Sequence, residues 1–344
     1  MKVKLSLLLL SALAALAFFS CKKDDDPAAS GKYATGVFVV CEGPFGSGTG
    51  TVTWHDPESG ETVQDIYGLE NGGAALGNIA QSLTFHAGKG YIVVNNANKI
   101  VVVDAGTFKA EAEIKGFALP RHLLPMDDQF ALVSEWGADG LSGRVLKLDL
   151  TTRQIVDSVQ VGHGPEKLFR LNDTDVLVPN GGGYGVDSTV QILDWKTMQV
   201  KETRTLFRKN PTAFASPSFL SDRPYVLCKG EFGGTGCVAG WNSTDDSNGQ
   251  IPNTFSDDLV VSPDGQSLYF SAGGKVRAAR LDGLSVLFDY PAYSVGVDSK
   301  TGNILVGDAK DFSSSGEVAI FNASGTKISA FTTGVTPTEI VVVR

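Results

Sequence analysis

The sequence predicts an all-β ring of seven four-stranded blades, a β-propeller, and three observations carry that expectation. A strand–turn–strand pattern recurs about every 45 residues, glycine is abundant at 40 of 344 residues, and the two ends of the chain hold complementary parts of one repeat. Long Leu/Ala/Glu/Lys stretches with a 3.6-residue period are absent, which removes a helical alternative. Self-similarity at a period of about 40–50 residues, with four strands to a unit, marks propeller blades.

The repeat is read from a hydrophobic strand closing on Asp, a short polar turn and a second alternating strand. Thr51-Val-Thr-Trp-His-Asp56 leads to Glu61-Thr-Val-Gln-Asp-Ile66, and Lys99-Ile-Val-Val-Val-Asp104 leads to Lys109-Ala-Glu-Ala-Glu-Ile114. Val145-Leu-Lys-Leu-Asp149 and Val190-Gln-Ile-Leu-Asp194 continue the series, followed by Val276-Arg-Ala-Ala-Arg-Leu-Asp282 and Val318-Ala-Ile-Phe-Asn322. The step from Asp194 to Asp282 is about two periods, which implies one degenerate copy between them. A second marker opens the units: Pro120-Arg-His-Leu, Pro165-Glu-Lys-Leu, Pro211-Thr-Ala-Phe and Pro337-Thr-Glu-Ile. Proline is tolerated at the first position of a strand, where its missing N–H breaks no ladder bond. Each unit then holds strands A to D. The first unit starts at strand B, Gly36-Val-Phe-Val-Val40, and the chain finishes on an orphan strand A, Pro337 to Arg344. Pairing the two closes the ring and removes exposed edges.

The first 26 residues carry the address. Lys2 and Lys4 precede an apolar run from Leu5 to Phe19, which ends in Phe18-Phe19-Ser20 and then Cys21. That is a secretion-signal pattern in which a cysteine stands at the cleavage site. It resembles the signal of bacterial lipoproteins of the Bacteroidota type, which implies lipidation of Cys21 as the new N-terminus. A transmembrane helix is the alternative, but the run falls short of the roughly 20 residues needed to span. Residues 1–20 are thus expected to be signal, 21–32 an acylated tether and 33–344 the propeller. Lys22-Lys23-Asp24-Asp25-Asp26 resembles an export element for the outer cell surface, while a plain spacer on a periplasmic leaflet is the alternative. Removal of Lys2 and Lys4 takes the net charge from −9 to about −11, which argues against nucleic acid as a partner.

The repeat also sorts the loops by face. A–B and C–D connections are short turns, such as Ser262-Pro-Asp-Gly265 and Asp298-Ser-Lys-Thr-Gly302. Most long insertions fall in B–C loops on the other face, and each brings one aromatic residue among Gly, Ser and Asp: Phe45, Trp136, Tyr184, Phe232 and Phe312. Aromatic anchors with small polar neighbours, Asp187 among them, suit a bulky polar ligand or a protein partner. The alternative for any one of them is a ring folded back to cap its own blade. The stretch from Trp241 to Asn248 is polar, with no clear place in the repeat.

Catalytic and metal patterns are sparse. His55, His86, His122 and His163 show no HxH or HExxH spacing, so neither a metal nor another cofactor is expected, and His122, in a strand A near the channel, is read as a packed or hydrogen-bonded residue and not as a ligand. There is no Gly-x-Ser-x-Gly elbow, and Gly181-Gly-Gly183 lacks the helix or Lys of a phosphate loop. Asp157-Ser158-Val159 and Asp187-Ser188-Thr189 are short matches to an O-glycosylation acceptor. Cys228 closes a strand B and Cys237 opens the next strand, so a disulfide across the hairpin is a candidate, with two buried thiols as the alternative. Cys41 is left to pack in its own blade.

Nearly the whole of residues 33–344 resembles the YncE-like family of seven-bladed propellers. Val37-Phe-Val-Val-Cys-Glu-Gly43, Ile79-Ala-Gln-Ser-Leu83, Tyr91-Ile-Val-Val-Asn-Asn96 and the run from Val103 to Phe108 carry the likeness. Within that family the chain looks most like surface lipoproteins that accompany TonB-dependent outer-membrane transporters and capture cobalamin. The resemblance implies a non-enzymatic binder of a small-molecule nutrient or glycan, partnered with such a receptor and held to the membrane at Cys21. Propeller enzymes of the lactonase type and adhesion modules remain as alternatives, because fold alone does not fix function.

Overall fold

The computed structural model describes residues 30–218, 224–241, 249–280 and 283–344. The expected signal, Cys21, Asp24 to Asp26 and most of the tether lie outside the described residues, as does the stretch 242–248. Among the described residues the strands form seven sheets of four, each antiparallel and ordered A-B-C-D, and contacts between the A strands of neighbouring blades place them innermost. The ring closes as the repeat predicts. Strand A of the first blade is the C-terminal strand Pro337–Val343, and it pairs with Gly36–Cys41, Cys41 lying opposite Pro337 and Gly36 opposite Val343.

The B strands are buried on both sides because each sheet is sandwiched between two neighbours, and the C strands less completely so, as in Thr189–Asp194. Gly36–Cys41 is buried throughout, and its Phe38 and Val40 pack with Ile92, Val94, Val101 and Val103 of the next blade. The outer strands alternate instead, as in Gln154–Gln160, since one face meets water. The degenerate copy between Asp194 and Asp282 is blade five, with strands Pro211–Ala215, Tyr225–Cys228, Thr235–Gly240 and Gln250–Pro252. Trp241, at the end of its strand C, is buried edge-on against Phe214 and beneath the Arg204 guanidinium.

Two expectations need correction. The alternating strand read over Glu61 to Ile66 is only Thr62–Val63, followed by a short helix, Ile66–Glu70. The Asp65 carboxylate accepts from the Gly68 N–H at 3.0 Å and caps the helix, and Ile66 and Tyr67 turn into the core. Cys228 and Cys237 do face each other in register across their hairpin, but both sulfurs are held as buried thiols and no disulfide joins them. Cys41 is also buried, and desolvation pushes its thiol up to about 12, so it is inert packing.

Candidate functional site

The strand pairing fixes which loops share an end of the channel. Each strand A begins where strand B finishes: Pro337 meets Cys41, Pro120 meets Glu135 and Pro211 meets Cys228. B–C and D–A loops therefore surround the same mouth, and the first side chains of the A strands point into it. In four blades the residue before the strand is left-handed, namely Ile79, Leu119, Asn210 and Thr336, with φ between 54° and 59°, and Gly164, at φ 57°, stands likewise before the Pro165–Asn180 bridge. That shared kink brings successive A strands in at matched height.

The position after this kink and its proline, or their counterparts, supplies Gln81, Arg121, Glu166, Thr212, Asp257, Tyr293 and Thr338, one from each blade. These form a polar ring centred on Arg121. Its Nε donates to Glu166 Oε2 at 2.9 Å, Nη2 lies 3.3 Å from Glu166 Oε1 and 3.6 Å from Asp257 Oδ2, and Nη1 donates to Gln81. The guanidinium also lies 4.3 Å from the centre of the Trp136 ring. Lys229, just past its strand B, reaches Asp257 Oδ1 at 2.5 Å. The next position along the A strands holds His122, Lys167, Asp258 and Glu339. Lys167 bridges Asp258 Oδ1 at 2.7 Å and Glu339 Oε1 at 3.4 Å, while the second oxygen of each accepts a backbone N–H, from Val295 and Leu83 respectively.

Burial and neighbours set opposite charge preferences here. Burial works against the Arg121 charge, but Glu166 and Asp257 outweigh it and raise its pKa. The same contest holds Lys167 protonated, with Asp258 as its main partner. Asp257 is pushed up by burial and pulled further down by Lys229 and Arg121, so it stays ionised. Asp258 and Glu42 are raised, because desolvation exceeds what Lys167 and Arg121 return. Burial and nearby Glu42 lift the Tyr293 phenol well above its ordinary value, and its hydroxyl lies 3.3 Å from Glu42 Oε1.

This is a convergence of acids and bases at the channel mouth, which linear motif patterns did not reveal. His122 is not simply packed: it is 7% exposed, its Nε2 has no hydrogen-bond partner, and Glu166 Oε2 lies 3.7 Å away.

The aromatic residues singled out from the sequence fall into separate groups around the mouth. Trp136 and Tyr184 meet edge-to-face at 5.6 Å between blades three and four. Tyr184 packs against Gly140, where an added Cβ would lie 2.1 Å from the ring. Phe312, at φ 61°, stands edge-on to Tyr293 at 5.5 Å, and Phe232 lies 6.5 Å from Phe255. Phe45 is 85% exposed on the first blade. Asp187 fastens its own loop instead of facing the mouth: Oδ1 accepts from the Ser188 and Thr189 N–H groups, and Oδ2 from the His163 N–H at 2.8 Å.

Between blades five and seven lies a depression of about 470 Å³ lined by Phe232, Phe255, Tyr293, Phe312, Asp308 and Lys310. Its cause is local. Blade six makes its B–C connection with only Gly273 and Gly274, both left-handed, while the flanking blades carry long loops. The short turn leaves a gap, Tyr293 forms its inner wall, and the polar ring begins there. The volume is that of a small-molecule site.

The molecule is therefore a seven-bladed propeller with a charged, aromatic-rimmed mouth. Residues 35–206 match the family model described as Domain of unknown function (DUF5074), and the chain belongs to that family. No curated protein matches the chain. Among solved structures it is similar to a quinonprotein alcohol dehydrogenase-like protein from Bacteroides thetaiotaomicron, at 18% identity over 90% of this chain and 78% of that one, TM-score 0.64. A functionally unknown protein from Desulfotomaculum acetoxidans matches at 12% identity over 90% and 99%, TM-score 0.64. Hydrazine synthase from Kuenenia stuttgartiensis matches at 14% over 75% and 88%, TM-score 0.60. At such identities the likeness is one of fold.

Proposed function

We propose that this chain is an exported, lipid-anchored propeller that binds a bulky polar small molecule on its loop-bearing face and serves uptake through an outer-membrane transporter. The observation that carries the reading is the depression beside the polar ring, which Phe232, Phe255 and Phe312 line together with Asp308, Lys310 and Tyr293. Flat apolar walls with few polar groups suit a corrinoid, another metal chelate or a glycan. Anchoring rests on the signal pattern ending in Cys21, and the YncE-like resemblance supports a TonB-dependent partner. Calorimetric titration with cobalamin, haem, ferric siderophores and oligosaccharides tests the reading. Phe232→Ala and Phe312→Ala should each weaken the bound ligand about 10–30-fold. Asp264→Ala and Lys300→Ala, on the opposite face, should leave it unchanged. Absence of any ligand, together with no transporter in a pull-down from outer membranes, would end this reading.

A second reading, a hydrolase of the lactonase type, is favoured by His122 standing among Glu166, Asp257 and Arg121. Lactone hydrolysis that disappears in His122→Ala would establish it in place of the first.

A further inference from the structure

We infer that His122, Glu166 and Asp257 form a binding site for one divalent transition-metal ion at the mouth of the channel. The three come from blades three, four and six, and one donor atom from each lies within 4.8 Å of the other two. An acidic pair alone would say little. The independent observation is His122, whose Nε2 is buried, has no hydrogen-bond partner and lies beside the carboxylates. A buried ring nitrogen with no hydrogen-bond partner in such a place leaves a polar group unsatisfied, and a bound ion would satisfy it.

The surroundings fit a metal in two ways. Metal-ligating carboxylates are themselves usually hydrogen-bonded, which fixes their orientation. Arg121 holds Glu166 through two N–H groups, and Lys229 holds Asp257 Oδ1. Each carboxylate oxygen has two lone pairs, so it can accept one of these bonds and still ligate. Charge balance gives the second argument. Five carboxylates, Glu42, Glu166, Asp257, Asp258 and Glu339, share the mouth with three cations, Arg121, Lys167 and Lys229. With Glu42 and Asp258 raised by burial, the formal balance lies between neutral and two negative charges, so the mouth does not repel a divalent ion. One imidazole nitrogen with two carboxylates favours Zn²⁺ and its neighbours over Ca²⁺ or Mg²⁺, which take oxygen ligands. Linear spacing hides the site, because its members are separated by whole repeats. The inference does not depend on the ligand-binding reading.

The test is calorimetry of the full chain with Zn²⁺, with Ca²⁺ and Mg²⁺ as competitors, and X-ray absorption of the Zn²⁺-loaded wild-type protein. One saturable Zn²⁺ per chain is expected, weakened at least 10-fold in both His122→Ala and Asp257→Asn, and not displaced by equal Ca²⁺. The absorption spectrum should contain an imidazole nitrogen at about 2.0–2.1 Å. No saturable binding, unchanged binding in both variants, or an all-oxygen shell would each overturn the site. The spectrum of the wild-type protein decides even if neither variant folds.

Discussion

Replacing Arg121 with Met removes the charge at the centre of the polar ring while keeping most of the stem that packs there. Glu166 is 2% exposed, so without Arg121 both of its oxygens lose the N–H groups that now hold them. Breaking a buried ion pair by removing one partner costs about 3–5 kcal/mol, because the other charge stays desolvated. Loss of the cation–π contact with Trp136 adds about 1 kcal/mol. Gln81 and Asp257 also lose a donor, but Asp257 keeps Lys229 and suffers less. A destabilisation of about 5 kcal/mol follows, read from urea unfolding with midpoint and slope both measured. Arg121→Met/Glu166→Met should recover most of it, since an apolar pair of similar volume is often close to neutral at a buried site. A loss below about 1 kcal/mol in the single variant, or no recovery in the double, would refute the claim that this pair is desolvated and mutually dependent.

Deleting Pro337 to Arg344 should abolish cooperative unfolding or cause aggregation, because it opens the ring at two edges; an unchanged melting curve would count against closure. Arg344 tests closure more gently, since it grips the Asp298 carboxylate through Nε at 3.0 Å and through Nη2. Burial raises the Asp298 pKa, but Arg344, Thr301 and the Lys300 N–H outweigh it and hold it at about 2. A depressed carboxylate stabilises the fold above its unfolded value near 3.8 and loses that contribution as pH falls toward about 2. Arg344→Ala should therefore cost about 1–2 kcal/mol at pH 7, a cost that fades as pH falls through about 2, followed by unfolding as a function of pH. Cys21→Ser should move the protein from the membrane to the soluble fraction, and continued membrane attachment would sink the lipid-anchor proposal.

The ring was legible because its signals are local and repeated. Prolines 120, 211 and 337 begin strands, while Pro165 makes an isolated bridge with Asn180 ahead of the short strand Phe169–Arg170, and the complementary ends required only that Pro337 to Arg344 pair with Gly36 to Cys41, as they do. Blade faces followed from strand order. The polar ring was not read, although Arg121 and Glu166 stand directly after marker prolines and one look at that position would have found them. Gln81, Asp257 and Tyr293 had no such flag, since their units carry Ala80, Ser256 and Ala292 where the other four have proline. Strand order puts the B–C loops at one end of the channel, and how their aromatic residues group there depends on loop length. Gly273 and Gly274 shorten one connection and thereby open the depression beside Phe232 and Phe312. Asp187 shows the converse limit, because an acidic residue in a Gly-rich loop serves its own backbone as readily as a ligand.

The most direct test of the proposal that the loop-bearing face binds is hydrogen exchange of the full chain with and without the ligand found by titration. Protection should concentrate at residues 229–236, 253–255, 291–293 and 308–314, with the turns 262–266 and 298–302 on the opposite face unchanged. Protection confined to those opposite turns, or none on the loop-bearing face at saturating ligand, would contradict it.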